Sequence, residues 1–144
     1  MPFQNPSRDE IGVLLQQAGA IAVVGLSDKP DRTSYMVSQA MQSRGYRIIP
    51  VNPMAAGKEI LGEMCYESLS DIPEPIDIVD VFRRSEYCVD VATEAVAIGA
   101  KTLWLQSGIF NEEAAEIASE AGLTVIMDRC IKVEDAVTGA GSRR

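Results

Sequence analysis

Residues 20–53, AIAVVGLSDKPDRTSYMVSQAMQSRGYRIIPVNP, constrain the fold more than any other part of the chain. They open with Ala20–Val24, an apolar run too short for a helix and rich in valine and isoleucine, the mark of a buried strand. Gly25 breaks this run and begins a turn of small, polar and basic residues. A helical pattern follows over residues 34–44, with Met36, Val37, Ala40 and Met41 on one stripe. Gly45 stands where a helix end favours positive φ. Residues 46–51 are a second apolar run. The unit is strand, turn, helix, strand, and its first turn is suited to holding phosphate at a helix N-terminus.

The rest of the chain repeats the alternation. Ser7-Arg8-Asp9-Glu10 matches a capping box, and Ile11, Leu14, Leu15 and Ala18 continue at helical spacing, so a helix precedes the first strand. Residues 52–75 read as a long loop with one short strand near Ile60 and a helical turn near Leu69. Residues 76–82, IDIVDVF, are a third strand in which two aspartates alternate against isoleucine and valine. Ser85 is placed to cap a helix over residues 86–98. Residues 101–105 are a fourth strand. Asn111 caps a helix with Glu112 and Glu113 in its first turn, which suits the helix dipole. Residues 124–127 are a fifth strand, and a short helix follows Asp128. The pattern predicts one α/β domain over residues 1–144: a Rossmann-like three-layer domain with a mainly parallel five-stranded sheet and a frayed tail from about 138. Its ligand crevice is expected where strand order reverses, between the first and fourth strands. That would set the loop after Val24 beside the loop after Leu105.

Composition narrows the function classes. The net charge of −8 disfavours nucleic acid and anionic membrane as partners. No segment reaches a membrane-spanning length, and the N-terminus has no apolar signal region. Cys65, Cys88 and Cys130 are far apart, which fits reduced thiols in a cytoplasm rather than a redox or zinc pair. The chain has no histidine. That removes serine–histidine and cysteine–histidine nucleophile pairs, phosphohistidine intermediates and histidine metal sites. Nothing marks a carboxylate metal site or a catalytic residue.

The candidate binding residues sit at predicted strand ends. After the first strand, Gly25 permits a tight turn, Ser27 offers a hydroxyl and an N–H, Lys29 and Arg32 supply positive charge, and Thr33 or Ser34 can cap the helix or donate to phosphate. G-x-G-x-x-G is absent, because Ser27 and Pro30 occupy its second and third glycine positions. A dinucleotide-binding chain usually places Asp or Glu at the end of the second strand to hold a ribose diol. Here Asn52 precedes Pro53: an amide compatible with a phosphorylated ribose, or a simple turn. At the third strand end, Phe82 suits an adenine ring and Arg83 a phosphate; core and solvent are the alternatives. Gln106 and the backbone at Gly108 are placed to read a pantetheine amide or a ribose, with Trp104 beside them as core or subunit contact. Cys130, next to Arg129, is either packed or placed for thiol exchange with a ligand. Cys88 reads as core, and Cys65 has no legible role.

These pieces together resemble the small stand-alone bacterial CoA-binding proteins, which are related to the CoA-binding domain of succinyl-CoA synthetase and of NDP-forming acyl-CoA ligases. The resemblance runs from about Ile11 to Glu134. It rests on V-V-G-L-S-D-K-P-D-R at 23–32, P-V-N-P at 50–53, V-D-V-F-R-R at 79–84, W-L-Q-S-G at 104–108 and M-D-R-C at 127–130. It implies a Rossmann-like fold that binds coenzyme A through its ADP portion. Gly25, Ser27, Lys29 and Arg32 would then face the phosphates. Asn52 and Pro53 would lie along the nucleotide, Phe82 and Arg83 at the adenine side, and Gln106 and Gly108 on the path to pantetheine. The ligases also need a phosphohistidine and a nucleotide-grasp partner domain, and this chain has neither.

The expected function is non-catalytic binding of coenzyme A or an acyl-CoA in the cytoplasm. The partner is a small-molecule nucleotide ligand, with a homodimer or another protein open beside it. Two alternatives stand: an NAD(P)-binding oxidoreductase or redox sensor, and a carrier that forms a CoA disulfide through Cys130.

Overall fold

A computed structural model describes residues 3–141. Five strands make one sheet: β1 (Ala20–Val24), β2 (Arg47–Val51), β5 (Ile78–Val81), β6 (Thr102–Leu105) and β7 (Thr124–Ile126), in the order β2-β1-β5-β6-β7. Every pairing in it is parallel. A small antiparallel hairpin, β3 (Glu59–Ile60) and β4 (Glu63–Met64), stands apart from it.

Successive residues of each strand point to opposite faces, and both faces are covered. On one side Ala22, Val24, Val79, Val81, Leu103 and Leu105 pack under α3 (Cys88–Ala97) and α4 (Glu112–Glu120). On the other Ile21, Val23, Ile48, Ile78, Trp104 and Ile126 pack under α1 (Arg8–Gln17), α2 (Thr33–Ser43) and α5 (Ile131–Thr138). The result is the predicted three-layer α/β architecture. Trp104 is wholly buried, and its indole N–H donates to the Arg129 carbonyl at 2.9 Å, so it belongs to the core.

Local signals explain most boundaries. Ser7 and Glu10 form the reciprocal capping box of α1. The Asn111 side chain accepts the Ala114 N–H and starts α4. Ser85 does not cap α3: it lies in a 3-10 turn, Ser85–Tyr87, and its hydroxyl donates to the Phe110 carbonyl. The segment 52–75 holds the hairpin and 3-10 turns at Pro53–Ala55 and Leu69–Asp71. Where a frayed tail was expected from about 138, Gly139 closes α5 in the left-handed region and Ala140 is fully buried. Residues 142–144 lie outside the described residues.

The strand neighbouring β1 corrects one expectation. It is β5, the third main strand, and not β6, the fourth. The cause is the segment after β2. Tyr66 bridges to Val51, takes the Asn52 N–H and donates to the Pro50 carbonyl, so this segment covers the outer edge of β2. The next strand therefore returns to the other side of β1. Strand order reverses between β1 and β5, and the loop after Val24 sits beside the loop after Val81.

Candidate functional site

Three loops converge at the carboxyl ends of β1, β2 and β5. Gly25 donates to the Val51 carbonyl at 2.8 Å, and Phe82 donates to the Val24 carbonyl at 2.9 Å. Gly25 has φ of +89°, and a Cβ there would stand 2.6 Å from the Phe82 carbonyl oxygen. Glycine is needed at this position both for the turn and for the approach of the neighbouring strand end.

The loop 25–32 then supports itself. The Ser27 N–H donates to Ser34 Oγ at 3.0 Å, and the Lys29 N–H donates to Ser27 Oγ at 3.1 Å. Ser34 is buried and braces the turn from behind. The Asn52 amide donates to the Leu26 carbonyl at 3.0 Å while its oxygen accepts the Met54 N–H at 3.0 Å. Asn52 thus ties the β2 loop to the β1 loop, with Pro53 exposed just beyond it.

What this framework presents is the N-terminus of α2. Arg32 is its N-cap residue, with no side-chain cap, and its first turn carries no acid. Met36 makes the first helical bond, to the Arg32 carbonyl. The N–H groups of Thr33, Ser34 and Tyr35 have no partner among the described residues. By contrast, α1 and α4 are capped by Ser7 and Asn111 and carry acids in their first turns. Lys29 and Arg32 are exposed and make no ion pair among the described residues, whereas Asp28 lies 3.9 Å from Lys58. Free N–H groups, the helix dipole and two unpaired cations all favour an anion here.

Beside this turn a cavity of about 170 Å³ opens between the ends of β1 and β2 and α3. Val24, Val51, Pro53, Leu69, Arg83 and Tyr87 line it, with the carboxylates of Glu67, Asp90 and Glu94. The Arg83 guanidinium lies 4.5 Å above the Tyr87 ring. Phe82 turns to the opposite face, against the cluster that includes Tyr35 and Cys130. Phe82 and Arg83, paired in the sequence reading, are therefore split across the sheet. Tyr87 was not singled out there. Its spacing of four from Arg83 is the signal that reveals it.

Gln106 and Gly108 spend polar groups on neighbouring residues, Gln106 inside the protein and Gly108 at its surface. The Gln106 amide donates to the Asp80 carboxylate, and both side chains are buried. Burial pushes the Asp80 carboxyl up to about 7, and the Gln106 hydrogen bond pulls the other way. The Gly108 N–H donates to Asp128 Oδ1 at 2.7 Å, which ties the β6 and β7 loops together.

Of the three free thiols, Cys65 and Cys88 are buried and Cys130 is half-buried at the N-cap of α5. Burial pushes the Cys88 thiol up to about 11, against the nearby charge of Arg83. Burial also raises the Cys65 thiol, although its contact with the Asn52 backbone acts in the opposite sense. Among the described residues no cluster of three or more histidine, cysteine or carboxylate side chains could hold a metal ion. A larger cavity of about 310 Å³ opens at the other end of the sheet, near Val13, Ile78 and Lys101, away from the basic loop.

Comparison with known proteins places this arrangement. The profile described as CoA binding domain matches residues 19–136. The chain is 57% identical over 136 residues to the protein called uncharacterized protein YneT of Bacillus subtilis, covering 94% of this chain and 99% of that one. It superimposes on the structure titled cell-free ID.343 from Thermus thermophilus with a TM-score of 0.89 at 39% identity, covering 92% of this chain and 99% of that one. It is also 25% identical over 124 residues to the alpha subunit of acetate–CoA ligase [ADP-forming] II of Pyrococcus furiosus. That match covers 78% of this chain but only 27% of the subunit. A domain match over most of the chain and a near full-length relative agree with the fold and with the basic turn at the strand ends: the chain belongs to the CoA-binding domain family.

Proposed function

We propose that the chain binds coenzyme A or an acyl-CoA, with the pyrophosphate at the N-terminus of α2, and acts as a binding module rather than a catalyst. The observation that carries this reading is the uncapped, acid-free first turn of α2 beside Lys29 and Arg32. On a chain with a net charge of −8, unpaired cations at one helix start are where a polyanionic ligand gains most. Family membership supports coenzyme A among phosphate ligands. Pro53, Arg83 and Tyr87 supply a cavity wall suited to a flat base, with cation and ring stacked. Gly25, Ser27, Ser34 and Asn52 hold the turn in shape. Gln106 and Gly108 act at one remove, by fixing the neighbouring loops. Three free cysteines fit a reducing cytoplasm.

Isothermal titration tests the reading. Arg32→Ala is expected to weaken coenzyme A binding about tenfold or more, the scale of one charge-assisted hydrogen bond, with an unchanged melting temperature. Equal affinity in the two proteins would defeat the assignment. NADH and NADPH belong in the same experiment and are expected to bind more weakly, because the turn lacks the glycines of G-x-G-x-x-G and, for NADH, Asn52 offers no carboxylate to the ribose diol.

One observation favours a second reading. Cys130 is the least buried of the three thiols and stands at the start of α5, after the carboxyl end of β7. Its thiolate would attack CoA disulfide, forming a protein–CoA disulfide and releasing one CoA thiolate. Intact mass after incubation with CoA disulfide decides it. An equal mass gain in Cys130→Ser would exclude this thiol.

A further inference from the structure

Asp80 is a carboxylic acid buried close to the anion turn. In the sheet it stands between Val23 of β1 and Trp104 of β6. Register partners point the same way, so Asp80 faces the layer of α1, α2 and α5 with them. Val23 is two residues before Gly25, where the turn begins. Two residues along a strand and one strand across is roughly 8 Å between Cα atoms. Asp80 and Val23 are each 1% exposed, and Leu26 of the turn is fully buried in the same layer. Charge at the turn therefore acts on Asp80 through protein rather than through water. Other charges on that side are already matched. β1, β6 and β7 contain no charged residue. The buried faces of α1 and α2 are uncharged, with Tyr35 of α2 packed at the edge of the layer. On α5, Glu134 meets Arg8 at 3.3 Å, and Asp135 meets Arg44 at 2.9 Å and the Tyr46 hydroxyl. Beyond β7, the Cys130 thiol packs at the edge of the layer and Arg129 donates to the Asp128 carbonyl. Asp80 makes no ion pair among the described residues. Burial raises its carboxyl to about 7, and the hydrogen bond from Gln106 acts against this.

We propose that Asp80 takes up a proton from solvent when a phosphate ligand fills the turn at α2, so that ligand affinity falls as pH rises through neutrality. This rests on the coenzyme A reading of the turn. With the turn empty, the helix dipole, Lys29 and Arg32 present positive potential towards Asp80 and favour its charged form. A bound diphosphate cancels that potential and reverses it, which favours the neutral acid. One unit of charge roughly 8 Å away in a protein interior moves such a group by about one on the pH scale or more. Linkage is reciprocal: a ligand that favours protonated Asp80 binds best when Asp80 is protonated. The proton reaches a side chain that touches no ligand, so Asp80 acts through the field and not through contact.

Titration calorimetry of the full chain with dephospho-coenzyme A tests the proposal. This probe keeps the diphosphate bridge and lacks the terminal phosphate, which titrates near neutrality itself. Affinity is expected to fall about fivefold from pH 6 to pH 8 in the unmodified chain, and less than about twofold in Asp80→Asn. At pH 7.5, buffers of low and high ionisation enthalpy are expected to reveal uptake of about half a proton per ligand in the unmodified chain, and almost none in the variant. The carboxyl carbon shift of Asp80 in the isotope-labelled, unmodified chain gives a second answer without any substitution. Its titration midpoint is expected to rise by about one on the pH scale when the probe is bound. Binding with the same pH dependence in both proteins, or a midpoint that the probe leaves in place, would overturn the coupling and leave the coenzyme A reading standing. No binding by the unmodified chain at any pH would overturn both.

Discussion

Asp80 is the residue whose chemistry departs furthest from its place in the sequence. In IDIVDVF it reads as one of two aspartates alternating with apolar residues. The two lie three positions apart and so face opposite ways. Asp77 pins the start of β1, taking the Gly19 and Ala20 N–H groups at 2.8 and 3.0 Å. Burial works against the charge of Asp77, yet those two N–H groups and Lys101 hold its carboxyl below the ordinary range. Asp80 is fully buried, with the Gln106 amide as its partner, and its carboxyl is pushed up to about 7. Between the ordinary 3.8 and about 7, the folded chain keeps a proton that the unfolded chain has lost. This group therefore makes stability fall as pH rises through that window, by on the order of a few kcal/mol, and adds no slope above it. Asp80→Asn preserves an acceptor for Gln106 and removes the titration. Urea melts from pH 5 to 8 are expected to show a flatter profile and a more stable protein at pH 8. An unchanged slope would show that Asp80 is not the group responsible. At this scale the sequence was legible for Gly25, whose turn and close approach both follow from its position after a strand. It was not legible for Asn52 and Gln106. An amide serves a ligand or a neighbouring loop equally well, and their partners, Leu26 and Asp80, lie far along the chain.

At the scale of elements, periodicity and caps identified every main strand and helix, because amphipathic spacing and Ser7 or Asn111 caps act locally. The β3–β4 hairpin was half visible, as one strand near Ile60. Its partner strand has only two residues, too few to show a period. α5 was expected as a short helix, but its anchoring was not legible. Asp135 accepts from Tyr46 Oη at 2.5 Å and from Arg44 at 2.9 Å, and Arg44 also donates to the Lys132 carbonyl at 3.0 Å. A carboxylate buried at the helix–sheet junction has to find donors, and these come from the end of α2 and the start of β2. Asp135→Ala leaves the Tyr46 hydroxyl buried without its acceptor. The expected cost is about 2 kcal/mol or more in chemical denaturation, with coenzyme A affinity retained in the folded protein. A loss of affinity equal to the loss of stability would tie α5 to the site itself.

For the whole molecule, the alternating pattern predicted a parallel sheet between helical layers but not the order of its strands. Sequence order leaves open on which side of β1 the third strand returns. That choice follows from Tyr66, which covers the edge of β2. The crevice remains at the strand carboxyl ends, but Phe82 and Arg83, rather than Gln106 and Gly108, become the nearest neighbours of the phosphate turn. Charge is divided in the same way. Acids dominate the exposed faces of α3 and α4, while Lys29 and Arg32, which make no ion pair among the described residues, stand at the turn that leads into α2. The account rests on that helix start being the anion site. Amide chemical shifts of the isotope-labelled chain, followed while coenzyme A is added, test it most directly. The account predicts that the largest shifts fall on Thr33, Ser34 and Tyr35, with smaller ones at Gly25 and Arg83. Shifts concentrated elsewhere, with those three amides unmoved at saturation, would contradict it.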